Sequence, residues 1–263
     1  MSPILMALLG TMFTFGGTAL GAALVFFFRG EIKPSLQRVF LGFAAGIMIA
    51  AAVWSLLIPA VDMATLSGST VPWLPAAGGF VIGAGFLLLL DRLLPHMHAN
   101  TGEVEGLHSS FKKTTMLVLA VTLHNIPEGL AVGLAFGFVG AGPGAVTLSG
   151  AIALALGMAL QNFPEGAAIS LPLKNTGMKN GKAFAMGALS GIVEPIFGVL
   201  GVLVAGTLVG LMPWMLGFAA GAMIYVVVEE LIPEANLGQH SHYGTLSVLA
   251  GFLLMMILDV ALG

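Results

Sequence analysis

Eight runs of about 20 mostly apolar residues divide this chain, each long enough for a helix to cross the roughly 30 Å hydrocarbon core of a bilayer. They cover Ile4 to Phe28, Leu36 to Val61, Trp73 to Leu94, Thr114 to Phe138, Val146 to Leu171, Ala183 to Val209, Pro213 to Ile232 and Gly244 to Leu262. With 58% hydrophobic and only 8% charged residues, too little polar surface exists to coat a water-soluble fold. The expected architecture is an all-α integral membrane protein of eight transmembrane helices, a single polytopic domain over residues 1–263. The first run lacks a basic flank and is too long for a signal-peptide core, so it is expected to be a retained span. The 37 glycines are what tightly packed membrane helices use to bring backbones together.

Charge placement orients the spans. All nine basic residues flank odd-numbered loops: Arg29, Lys33 and Arg38; Arg92, Lys112 and Lys113; Lys174, Lys179 and Lys182. Cytoplasmic loops collect Lys and Arg, which puts both termini on the extracytoplasmic side and predicts a plasma membrane, that is a bacterial inner membrane, location. The net charge of -3 and the scattered bases exclude a nucleic-acid binder. Cysteine is absent, which removes disulfides, thiolate zinc cages and thiol nucleophiles.

Two near-copies of one hexapeptide interrupt the central spans: His124-Asn125-Ile126-Pro127-Glu128-Gly129 in span 4 and Gln161-Asn162-Phe163-Pro164-Glu165-Gly166 in span 5, 37 positions later. An ionisable side chain at bilayer depth costs roughly 2.5 to 3.5 kcal/mol, so such residues persist for function. Helical geometry stacks His124 over Glu128 and Gln161 over Glu165, with each Asn about 100° round. Pro127 and Pro164 deprive the carbonyls of Leu123 and Leu160 of their helical partners, so both turns are expected to face protein or a wet cavity. A third acid, Glu194, lies beside Pro195 in span 6, and no Lys or Arg sits at the centre of any span. Protons, a metal ion or a basic substrate must supply the missing positive charge. A lone intramembrane His or Glu also serves as an interhelical hydrogen-bond partner, but the doubled pattern favours one mixed nitrogen, oxygen and sulfur site suited to divalent transition metals.

An internal repeat adds direction. Gly42-Phe43-Ala44-Ala45-Gly46-Ile47-Met48-Ile49 in span 2 recurs in span 7 as Gly217-Phe218-Ala219-Ala220-Gly221-Ala222-Met223-Ile224, and both runs lead to a proline, Pro59 and Pro233. The copies cross in opposite directions, which suggests an inverted repeat of spans 1-3 and 6-8 around the motif pair in spans 4-5, a secondary-transporter design. Asp62 and Asp259 fall near the outer ends of spans 2 and 8, where they are candidate entrance acids; Asp91, Glu229 and Glu230 fall near inner ends. All five could equally be charges that merely mark span ends.

The paired HNxPEG and QNxPEG motifs, eight spans and exterior termini resemble the ZIP (Zrt/Irt-like) family of zinc and iron transporters, in its bacterial GufA-like subgroup. The resemblance implies uptake of divalent metal, zinc first with cadmium, iron and manganese as alternatives, through a two-metal centre halfway across the membrane, by alternating access. It also implies a metal-ligand set of Met48, His124, Asn125, Glu128, Gln161, Asn162, Glu165 and Glu194. Ser55 lies two turns beyond Met48 toward the entrance, Asp91 and Glu230 become exit acids, and a homodimer fits the family. No prosthetic group is implied; Zn²⁺ is cargo. Where one branch of the family has His-Glu-x-Pro-His-Glu in span 5, this chain has Gln161, Asn162 and Glu165, and the family's histidine-rich loop shrinks to His96, His98 and His108. His240 and His242 join them on the inner side, as solvated residues or as weak metal carriers. A proton-coupled carrier of an organic cation is the main alternative. An intramembrane metalloenzyme would need a His-Glu-x-x-His set, or a serine hydrolase a Gly-x-Ser-x-Gly elbow, and neither occurs, so no enzyme is expected.

Overall fold

The computed structural model describes residues 1–28, 33–94, 96–97, 104–105, 113–141, 145–236 and 242–262. Among the described residues, six helical rods are long and apolar enough to cross a membrane: α1 (Pro3–Phe26), α2 (Ser35–Leu66), α3 (Trp73–Leu93), α6 (Asn180–Thr207), α7 (Met212–Asn236) and α8 (Tyr243–Leu262). Between them lie α4 (Lys113–Gly137) and α5 (Leu148–Asn175), 25 and 28 residues long, which carry the two polar hexapeptides. A two-residue antiparallel pair, β1 (His96–Met97) with β2 (Val104–Glu105), lies in the segment between α3 and α4 of this otherwise all-helical fold.

Local chemistry explains where the rods begin and end. The Ser2 hydroxyl accepts from Leu5 N–H ahead of Pro3, and the Thr147 hydroxyl accepts from Gly150 N–H at 2.9 Å, capping α1 and α5. Gly68 and Gly177, at φ 79° and 87°, turn the chain after α2 and α5 in the left-handed region that glycine enters without strain. Lys174 donates to the carbonyls of Val25 (2.9 Å) and Phe28 (2.6 Å), satisfying acceptors that the end of α1 leaves open.

Spans 2 and 7 run further than the apolar pattern predicts, to Leu66 and Asn236, because the helix does not stop at Pro59 or Pro233. Each passes its proline through a π turn, Ala52–Leu57 in α2 and Val227–Leu231 in α7. The wider turn moves the preceding carbonyls away from a ring that would otherwise collide with them.

The most extensive helix pairs are α2 with α8, α3 with α7, α1 with α5 and α4 with α6. Backbone meets backbone in each: a Cβ on Gly46 would strike the Val248 carbonyl, on Gly221 the Phe80 carbonyl, on Gly166 the Thr18 carbonyl, and on Gly129 the Glu194 carbonyl. The core they enclose combines many alanines with larger apolar side chains, of which Met48, Leu56, Met158, Leu216 and Met223 are fully buried.

Candidate metal centre

Both hexapeptides turn inward. His124, Asn125, Glu128, Gln161, Asn162 and Glu165 are buried, Pro127 and Pro164 are buried with them, and α4 and α5 continue through both prolines. Glu194 joins from α6, fully buried just beyond the 3₁₀ turn Ser190–Ile192. Thus seven of the expected ligands share the interior. Met48 is also fully buried, in the core of α2.

The polar groups divide into a tied set and an open set. The side-chain amide of Asn162 donates to Glu194 Oε2 (2.8 Å) and to the Thr14 carbonyl (3.1 Å), while its Oδ1 accepts from Gln161 Nε2. Thr18 donates its hydroxyl to the other Glu194 oxygen, Oε1, at 3.2 Å. Asn125 donates to the Ser190 carbonyl at 3.2 Å. Against this network stand acceptors with no hydrogen-bond partner: both oxygens of Glu128, Oε2 of Glu165, Oε1 of Gln161 and Oδ1 of Asn125. A buried acceptor without a donor costs about 1 to 3 kcal/mol, and more when charged, so five such oxygens from two neighbouring helices require compensation. Glu128, Glu165 and Glu194 also lie within electrostatic reach of one another. A cation would supply what hydrogen-bond donors do not.

His124 is already engaged. Its Nε2 and Glu230 Oε1 are 2.6 Å apart, and Asp91 lies within electrostatic reach of the ring. With Nε2–H donating to a carboxylate, a metal can take that nitrogen only if Glu230 lets go, whereas the lone pair of a neutral ring sits on Nδ1. Glu230, one of the expected exit acids, touches the central histidine directly. Among the described residues no three His, Asp or Glu side chains converge on one point at ligand distance, so closing a full shell needs side-chain movement or the amide and thioether groups.

At the opposite end of the bundle the Ser55 hydroxyl donates to Asp259 Oδ1 at 2.6 Å, and Asp259 Oδ2 is buried without a partner. Both residues line a cavity of about 340 Å³ with Trp54, Pro59, Asp62 and Thr147. Asp91, Glu230 and Asp259 are buried rather than interfacial, whereas Asp62 and Glu229 are exposed as span-end charges would be. Of the loop histidines, His98, His108 and His240 lie outside the described residues; His96 sits in the short hairpin opposite Glu105, and His242 is exposed.

Sequence reasoning missed the contribution of α1. Thr11, Thr14 and Thr18 are fully buried at three- and four-residue spacing, one polar stripe on an otherwise apolar helix, and two of them hold Asn162 and Glu194. That spacing was the available signal. Ser190, whose carbonyl holds Asn125, carried none.

Comparison of the sequence with known proteins finds a transport family rather than an enzyme. A family model described as "ZIP Zinc transporter" matches residues 95–259. "Zinc transporter ZIP11" of Xenopus tropicalis is 40% identical over 333 aligned positions, covering 100% of this chain and 98% of the relative. "Zinc transporter ZIPB" of Bordetella bronchiseptica is 38% identical over 259 positions (98% and 81%), and "Zinc transporter GufA" of Myxococcus xanthus 36% over 250 (94% and 96%). With its apolar rods and this likeness over the whole of its length, the chain is a multi-pass membrane protein that belongs to the ZIP family of zinc transporters.

Proposed function

We propose that this protein carries divalent transition-metal ions, zinc first, from the extracytoplasmic side into the cytoplasm through a midplane site formed by α4, α5, α6 and α2. The observation that carries the reading is the set of unpartnered buried oxygens on Asn125, Glu128, Gln161 and Glu165, with no Lys or Arg among the described buried residues. In this reading α4 and α5 cross the membrane too, giving eight spans with both termini outside. The cavity beside Ser55, Asp62 and Asp259 is the entrance, and Asp91 with Glu230 receives the ion on exit.

The ion exchanges water for His124, Glu128, Gln161, Glu165 and Met48, a mixed set that suits zinc, cadmium, iron and manganese. Asn125, Asn162 and Glu194 form the margin of a second, adjoining position, which makes the centre binuclear. The two positions differ in affinity, because the one at His124 has the imidazole and the other is tied to Thr14 and Thr18. Handing the His124 nitrogen between Glu230 and the metal couples release to the inner acid: when Glu230 takes the ring, the ion loses a ligand. Alternating access by movement of one helix group against the other exposes the centre to each side in turn.

Two measurements test this. Zn²⁺ or Cd²⁺ at about 100 times its dissociation constant should stabilise purified protein by about 2.7 kcal/mol, seen as a higher Tm, and should leave a Glu128→Ala/Glu165→Ala variant unmoved. Stabilisation by organic cations with none by metal would support the organic-cation carrier instead. Metal binding should also weaken as pH falls, because protons compete for the imidazole and carboxylates that ligate in their deprotonated forms. Isothermal titrations at about pH 7.5 and about pH 5.5 read this, and tighter binding at the lower pH would contradict it.

A further inference from the structure

The packing of α2 on α8 repeats in the packing of α7 on α3, residue for residue. Gly42 abuts the Gly244 carbonyl and Gly217 the Ala76 carbonyl; Gly46 abuts Val248 and Gly221 abuts Phe80; Gly251 abuts Phe43 and Gly83 abuts Phe218. Both α2 and α7 then enter a π turn at the same distance beyond the shared octapeptide. The central helices obey the same relation, since Asn125 donates to Ser190 of α6 as Asn162 donates to Thr14 of α1. This register makes Met223 the counterpart of Met48, Gln161 of His124, Asp91 of Asp259, and Glu230 of Ser55.

The repeat register therefore makes the two ends of the bundle versions of one station: a polar residue in the π turn of one helix, and the terminal aspartate of the helix packed against it. At one end this is Ser55 hydrogen-bonded to Asp259; at the other it is Glu230 with Asp91, both in reach of His124. The stations are unequal in charge. Asp259 keeps one oxygen buried and unpartnered beside the cavity of about 340 Å³, so a cation there meets one buried carboxylate and a hydroxyl, with Asp62 exposed at the rim. Its counterpart offers two buried carboxylates.

We propose that Ser55 sets the affinity of the entrance station: by being serine where the repeat has Glu230, it keeps that station weak enough to pass a divalent cation on instead of holding it. Ligand charge count tunes the affinity of such oxygen sites, so one carboxylate fewer means faster release. The inference rests on the metal-transport reading and adds a cause for the difference between the two mouths.

The test compares wild type with Ser55→Glu and with the uncharged isostere Ser55→Gln, as purified full-length chains, by equilibrium binding of Cd²⁺, and by Cd²⁺ uptake into proteoliposomes. Ser55→Glu should bind one further Cd²⁺ per chain and slow uptake about tenfold, equivalent to about 1.4 kcal/mol of tighter holding. Ser55→Gln should bind the wild-type number. Adding Asp259→Asn to Ser55→Glu should remove the extra ion. Unchanged stoichiometry in Ser55→Glu, or an extra ion that survives Asp259→Asn, overturns the proposal. Ser55→Asp gives the same readout should the longer side chain prevent folding. Failure of the transport reading itself would look different, because wild type would then neither bind nor take up Cd²⁺.

Discussion

Replacing His124 by alanine is expected to lower the initial rate of Zn²⁺ or Cd²⁺ uptake into proteoliposomes by more than about 100-fold, and Glu165→Ala should do the same. Among the described residues His124 is the one buried imidazole, and Glu165 offers an unpartnered buried oxygen from the neighbouring helix. The losses should be chemical and not structural, with both variants retaining monodisperse elution. His124→Ala also removes the imidazole contact that Glu230 makes at 2.6 Å. Wild-type uptake by both single variants would remove the centre from the mechanism.

The second large effect is structural. Gly129 and Gly166 close the two hexapeptides, yet neither has a ligating atom; each sits against the backbone of a neighbouring helix, at Glu194 and at Thr18. Leucine at either position cannot enter without separating α4 from α6 or α1 from α5. Overpacking of this kind costs about 3 kcal/mol, which corresponds to a fall in Tm on the order of 10 °C. Because Thr18 and Glu194 are themselves part of the polar network, metal binding should weaken in the same variants. Gly16→Leu and Gly85→Leu are the controls, since a Cβ at either meets nothing within 4 Å. Equal Tm losses in all four variants would mean that the glycines act through helix propensity and not through close approach.

The hexapeptides therefore contain three kinds of residue that look alike in sequence. His124, Glu128, Gln161 and Glu165 present open acceptors or the imidazole; Asn162 is tied into the network and Asn125 splits between a donated bond and a free oxygen; Gly129 and Gly166 only make room. A motif match scores these positions equally, whereas hydrogen-bond accounting separates them.

Length and periodicity alone determined that the chain crosses a membrane, where most rods lie, and that His124 and Glu128 share a face with Gln161 and Glu165 repeating the arrangement, because helical geometry is local and lipid forbids unpaired backbone. The charge gap at the centre was also legible, since it is a count. Only the tertiary structure decided which acid meets His124, what holds Asn162, and how α2 and α7 pass their prolines. The Glu230 contact joins residues 106 positions apart and the Thr14 contact residues 148 apart. Such pairings depend on how closely glycine faces allow the rods to approach and on their relative rotation, and no periodicity within one helix encodes either.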